Sequence, residues 1–184
     1  MRPLLFLDVD GPLIPFGGSA PHPAYAPEPP SDAHPLLYRV DPDHGRRLVA
    51  LGCELVWATT WGQEANEVLA PRLGLPPLPV VDWPDDEDDE DEGDEGDEGE
   101  GDEGEGDEGG PARLHWKTRA LSGRAAGRSY VWLDDEITGA DRAWVRAHHP
   151  APALLHRVDP AKGLTAADYA TVAAWAAEYG AQAE

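Results

Sequence analysis

The sequence predicts an α/β fold built on a mainly parallel, five-stranded sheet flanked by helices, and three observations lead there. Short apolar runs alternate with stretches of helical character, the pattern of repeated strand–helix–strand units. Several runs stop on carboxylates or hydroxyls: Asp8 and Asp10, Thr59 and Thr60, Asp134 and Asp135. Open parallel sheets bind ligands at the carboxyl ends of their strands, so such endings mark a site. Finally, nearly all of the net charge of −22 sits in one tract, because residues 85–109 hold 18 acids and 7 glycines and nothing else. The remainder is mildly acidic, and 184 residues suit one domain, here residues 1–184 with 85–110 as an insertion.

The first element is Leu4-Leu5-Phe6-Leu7, a continuous apolar run that reads as a strand buried on both faces. It ends in Asp8-Val9-Asp10-Gly11, where the glycine lets the backbone turn away. A calcium-loop reading would need a preceding helix and further oxygen ligands at set spacing; the apolar run and Pro12 argue against it. Prolines then crowd residues 12–35, which excludes a long helix or central strand and predicts an extended loop around the site mouth. His22 and His34 read as loop residues, since no Cys or His stands at ligand spacing from them.

Asp41-Pro42-Asp43 opens a helix, with Leu48, Val49 and Leu51 on its buried side and Gly52 as its stop. Glu54–Ala58 is the second strand and ends in Thr59-Thr60. Strand, helix and strand joined by short links predict a parallel pair, which brings Thr59 near Asp8. A threonine pair there suits either turn geometry or phosphate oxygens. A helix follows over Gln63–Ala70, broken by Pro71, and Leu78–Trp83 is a third, edge strand between prolines. The acidic tract has nothing apolar to bury and predicts a disordered, solvated spacer. Within one domain it is an inexpensive loop expansion in closure entropy.

His115–Leu121 is a helical stretch ending before Gly123, and Ser129–Leu133 is a fourth strand that stops on Asp134-Asp135-Glu136. Thr138 begins the next helix, which closes at His148-His149; these suit the helix dipole better than a metal. Ala153–His156 is the fifth strand, and Thr165 with Asp168 caps a last helix to about Tyr179.

Composition narrows the setting. A lone cysteine, Cys53, excludes an intrachain disulfide and points to a reducing, cytoplasmic location. The first apolar run is interrupted by Asp8 before a secretory core forms, and no run approaches the roughly 18 residues of a membrane span. Only Lys117 and Lys162 are lysines, so each is a candidate for a role that arginine does not fill. Clustered carboxylates call for a hard cation such as Mg²⁺, while a hydroxyl and an ammonium suit phosphate oxygens. A carboxylate nucleophile, a second acid, a cation and a lysine together describe phosphoryl transfer through an aspartyl-phosphate.

This order of residues resembles the haloacid dehalogenase (HAD) superfamily. Leu7-Asp8-Val9-Asp10-Gly11 resembles its first motif and Leu55-Val56-Trp57-Ala58-Thr59 its second, with Lys117 as the third and Trp132-Leu133-Asp134-Asp135 as the fourth. The resemblance implies a Rossmann-like, HAD-type sheet and a Mg²⁺-dependent phosphatase. In it Asp8 is the nucleophile and a metal ligand, and Asp10 is the acid–base that also offers its carbonyl to the metal. Thr59 and Lys117 hold the phosphoryl group, with Thr60 beside them, and Asp134 and Asp135 complete the metal site. Neither the proline-rich loop nor the acidic tract resembles a folded cap, which leaves an open site. The chain is also similar to small bacterial HAD domains of RNA-repair proteins, which implies a phosphorylated RNA end as one possible substrate. The acidic charge does not itself indicate nucleic acid, and no membrane partner is expected. Two alternatives remain at this point: a phospho-accepting receiver, which places its acids in a different order, and a non-catalytic interaction protein centred on the tract.

Overall fold

The computed structural model describes residues 2–26, 34–83 and 114–179. The acidic stretch 85–110 and its expected disorder lie outside the described residues. Among the described residues one sheet carries four parallel strands, β1 (Leu4–Leu7), β2 (Glu54–Trp57), β3 (Tyr130–Asp134) and β4 (Ala153–Arg157), in the order β2-β1-β3-β4. Five helices accompany it: α1 (Asp43–Ala50), α2 (Ala70–Arg72), α3 (Lys117–Ala125), α4 (Gly139–His148) and α5 (Ala166–Tyr179).

The apolar run of β1 is central because neither of its faces meets water. Its side chains alternate between faces, as strand geometry requires. Leu5 and Leu7 join Leu48, Leu69, Tyr169 and Val172 in one core, while Leu4 and Phe6 join Leu121, Tyr130, Trp132 and Val145 in another. Helices α1, α2 and α5 therefore cover one side and α3 and α4 the other. The two layers are the expected doubly covered sheet.

The expected third strand, Leu78–Trp83, is a difference. Val80 makes a single parallel bridge to Trp57, with Trp57 N donating to Pro79 O and Val81 N to Trp57 O, each at 2.9 Å. Pro76, Pro77 and Pro79 remove the amides that would extend the ladder. The segment lies on the β2 edge as expected, but it is a bridge, leaving four strands where the sequence predicts five. The helix after β2 also departs from expectation: Ala65–Leu69 is a π-helical turn leading into α2, which admits Pro71 in its first turn. No described helix is long and apolar enough to cross a membrane.

Candidate active site

Register places the candidate residues. Leu7 lies opposite Trp57 on one side and Leu133 on the other. Ala58 N donates to Leu7 O at 2.9 Å and Asp8 N to Leu133 O at 3.0 Å. Asp8, Ala58 and Asp134 thus leave the sheet side by side. The chain passes from β1 to β2 on one flank and then across to β3 on the other, so the strand order reverses around β1. An open α/β sheet forms its crevice at such a reversal.

In that crevice Lys117, the first residue of α3, joins the strand ends. Its Nζ donates to Asp8 Oδ2 at 2.7 Å and to Asp134 Oδ2 at 2.9 Å. Asp8, Asp134 and Lys117 are all buried. Asp134 also accepts from Trp132 Nε1 at 3.2 Å and from Glu136 N at 2.9 Å. Asp8 Oδ1 accepts from Val9 N at 2.8 Å. Two carboxylates thus share one ammonium away from water. Burial pushes the Asp8 carboxyl well above the usual carboxylate range, against the pull of Lys117. Burial alone would lower the Lys117 ammonium, but Asp8 and Asp134 outweigh it and leave it raised.

Asp135 completes an acidic group. One carboxylate oxygen each from Asp8, Asp134 and Asp135 can be chosen within 4.8 Å of one another. Burial, and then the charge of Asp134, raises Asp135. Gly11 is required here: it has φ +79°, and a Cβ on it would fall 2.7 Å from the Asp135 carboxylate. Three carboxylates converging from two strand ends against a single ammonium fit a hard divalent cation. The Asp10 carboxylate lies outside this group and accepts from Trp61 Nε1 at 2.9 Å.

The two threonines separate. Thr59 is buried and Thr60 is exposed. Thr59 Oγ1 accepts from Trp61 N at 3.3 Å, and its carbonyl accepts from Trp83 Nε1 at 3.1 Å. Thr60 instead lines a shallow cavity with His34, Trp61 and Glu64.

Several residues near the site escaped the sequence reading. His115 Nε2 lies 3.0 Å from Glu136 Oε2, and the pair with Asp134 forms a second group of potential metal ligands. Asp141 is fully buried and accepts from His115 N, Thr118 Oγ1, Thr138 N and Thr138 Oγ1 at 2.6–2.8 Å. It ties the start of α3 to the start of α4 and so fixes where Lys117 begins. The signal for it was the Thr138–Asp141 capping pattern; its reach to α3 has no sequence signature.

A four-stranded parallel α/β sheet whose adjacent strand ends carry acids and a threonine, with a buried lysine from the start of α3 beside them, is the arrangement that the HAD resemblance implies. The sequence profile described as "HAD domain in Swiss Army Knife RNA repair proteins" matches residues 4–169, and the chain belongs to that family. No curated protein and no solved structure matches it.

Proposed function

We propose that the protein is a Mg²⁺-dependent phosphomonoester hydrolase working through an aspartyl-phosphate. The observation that carries this reading is the buried ammonium of Lys117 spanning Asp8 and Asp134. Family membership and the three-carboxylate group support it further.

Asp8, at the centre of the sheet edge, attacks phosphorus through a carboxylate oxygen. The bond to the leaving oxygen breaks, and Asp10 gives that oxygen a proton. Asp10, now ionised, takes a proton from water; the resulting attack on phosphorus releases phosphate and restores Asp8. Lys117 and the Thr59 hydroxyl offer donors to the phosphoryl oxygens, and Lys117 restrains Asp8. Asp8, Asp134 and Asp135, with the Asp10 carbonyl, would hold a divalent cation, which supplies charge neutralisation of the phosphoryl oxygens.

The family description favours a narrower second reading, that the phosphate is carried on an RNA end. Hydrolysis of an aryl phosphate with and without Mg²⁺ tests the main reading. A phosphoryl adduct on the Asp8 peptide, seen by mass spectrometry after rapid quenching, is expected. Wild-type turnover by Asp8→Asn would rule out the nucleophile assignment.

A further inference from the structure

The chain between β1 and α1 shapes a cavity of about 510 Å³, with Gly17, Gly18, Ser19, His22, Tyr38 and Arg39 in its lining. Phe16 N donates to Pro160 O at 2.8 Å, which pins this wall to the segment that follows β4. Gly17 and Gly18 both have left-handed backbone, at φ +69° and +71°. Two such residues in succession bend the chain along a course that residues with a Cβ rarely follow. His22 closes the bend, its Nε2 donating to Gly17 O at 2.9 Å.

The lining carries a cation and, among the described residues, no Asp or Glu. Arg39 is half-buried and has no ion-pair partner among the described residues, whereas Arg46, Arg47 and Arg128 each have one. Its guanidinium is held in place by Nη1 donating to Pro15 O at 2.8 Å and by Nε and Nη2 donating to Tyr38 Oη at 3.4 Å. A guanidinium has five N–H groups, so these contacts leave two for a ligand. With two N–H groups directed at it, Tyr38 Oη turns its own proton outward and offers a donor. The amides of Gly17, Gly18 and Ser19 have no protein acceptor among the described residues. A fixed guanidinium beside a phenol and a run of amides is a donor set for an oxyanion.

We propose that this cavity is a binding site for a phosphate-class oxyanion, separate from the reacting group at Asp8 and Lys117. None of its lining residues belongs to that group, so the site stands whether or not the phosphatase reading does. Its volume falls within the roughly 300–1,000 Å³ of small-molecule pockets, enough for a phosphate with its waters or with a small organic group attached. The oxyanion therefore has two possible sources: free inorganic phosphate, or a second phosphoryl group at the far end of a small substrate. Recognition is the same for both, with charge from Arg39 and directed donors from Tyr38 and the glycine turn.

Titration of the full chain with inorganic phosphate, followed through its amide NMR shifts, tests the site. The Gly17, Gly18 and Ser19 amides are expected to move together and to saturate, while sodium chloride at equal ionic strength leaves them in place. Arg39→Gln is expected to weaken this binding about ten-fold or more, the loss of a hydrogen bond between charged groups. Tyr38→Phe removes only a hydroxyl and should weaken it roughly two- to ten-fold; it decides the matter if Arg39→Gln does not fold. Arg146→Gln, at an exposed arginine on α4, and Asp8→Asn should both leave the affinity unchanged. Shifts that do not saturate, an equal response to chloride, or an affinity indifferent to both Arg39→Gln and Tyr38→Phe overturns the site. An affinity that falls in Asp8→Asn and not in Arg39→Gln also overturns it, because the phosphate then sits at the reacting centre. Hydrolysis of glucose 1,6-bisphosphate against glucose 6-phosphate separates the two sources. A kcat/KM preference of about ten-fold for the bisphosphate, lost in Arg39→Gln, identifies a second phosphoryl group of the substrate. Equal rates alongside Arg39-dependent phosphate binding identify free phosphate. Such binding without any hydrolysis keeps the site and overturns the phosphatase reading, and hydrolysis without such binding does the opposite.

Discussion

Asp8 and Asp141 are two buried carboxylates on either side of the start of α3, and they are held in opposite ways. Asp141 takes four hydrogen bonds from His115, Thr118 and Thr138. Burial alone would raise its carboxyl, but the Thr118 and Thr138 bonds outweigh that and hold it below the usual range. Among the described residues Asp8 has only Lys117 and Val9 as donors, shares that lysine with Asp134, and is raised by burial. The structural carboxylate is saturated. The proposed reactive one is left with free capacity, which a cation or a phosphoryl group can use. Unfilled hydrogen-bonding capacity at Asp8, beside a well-satisfied neighbour, separates the two roles more clearly than burial does.

The sharpest way to break the comparison is to neutralise each carboxylate. Asp8→Asn is expected to lower phosphatase turnover by roughly 10⁴-fold or more, while thermal melting shows stability unchanged or higher by about 1 kcal/mol. A large loss of stability instead would make Asp8 a structural residue.

Asp141→Asn should do the reverse. Loss of charge-assisted bonds is expected to cost about 2–3 kcal/mol in urea unfolding, with activity falling through misplacement of Lys117. The folded value of Asp141 is depressed, so its contribution is present above the unfolded carboxylate pKa of about 3.9 and is lost as pH falls through the folded value. The stability gap between wild type and Asp141→Asn should therefore close below about pH 4, which urea midpoints across a pH series will read.

The cation sharpens the contrast further. Mg²⁺ at a hundred times its dissociation constant should stabilise the wild type by about 2.7 kcal/mol, seen as a rise in melting temperature that Asp8→Asn and Asp135→Asn both reduce. Gly11→Ala should reduce it too, since the added methyl meets Asp135, and the left-handed backbone costs a further 1–2 kcal/mol or so. An equal Mg²⁺ response in Gly11→Ala would remove Asp135 from the cation site.

The smallest effect is expected from deleting residues 85–109. Each halving of a flexible loop changes closure entropy by only about 0.6 kcal/mol, so melting temperature and turnover should both stay close to wild type. Loss of activity in a folded deletion protein would give the tract a catalytic part.

Much of the sheet was legible because its strands are short, continuous apolar runs, and the carboxyl ends of β1, β2 and β3 carry the residues that marked a site. At Leu78–Trp83 the apolar content predicts a strand, but the prolines withhold the donors a ladder needs and leave a single bridge. The convergence of Asp8, Lys117 and Asp134 followed from order along the chain, while the separation of Thr59 from Thr60 did not. One residue of difference at a strand end reverses the direction of a side chain, and no composition rule sets which one turns inward. Trp61, His115 and the reach of Asp141 were invisible for a related reason. They sit in loops and first turns, where no periodicity ties a residue to a partner far away in sequence.

The contact between Trp83 and Trp116 marks where the chain can be cut. Their rings meet edge-to-face at 4.7 Å, with Trp83 anchored on the Thr59 carbonyl and the next turn anchored through His115 on Asp141. Trp83 and the turn before α3 are therefore both held by the body of the protein. That junction is a natural place for a scission or a circular permutation: the fragments ending at Trp83 and beginning near Leu114 would carry Asp8 and Lys117 on separate chains, each complete only when the other is docked.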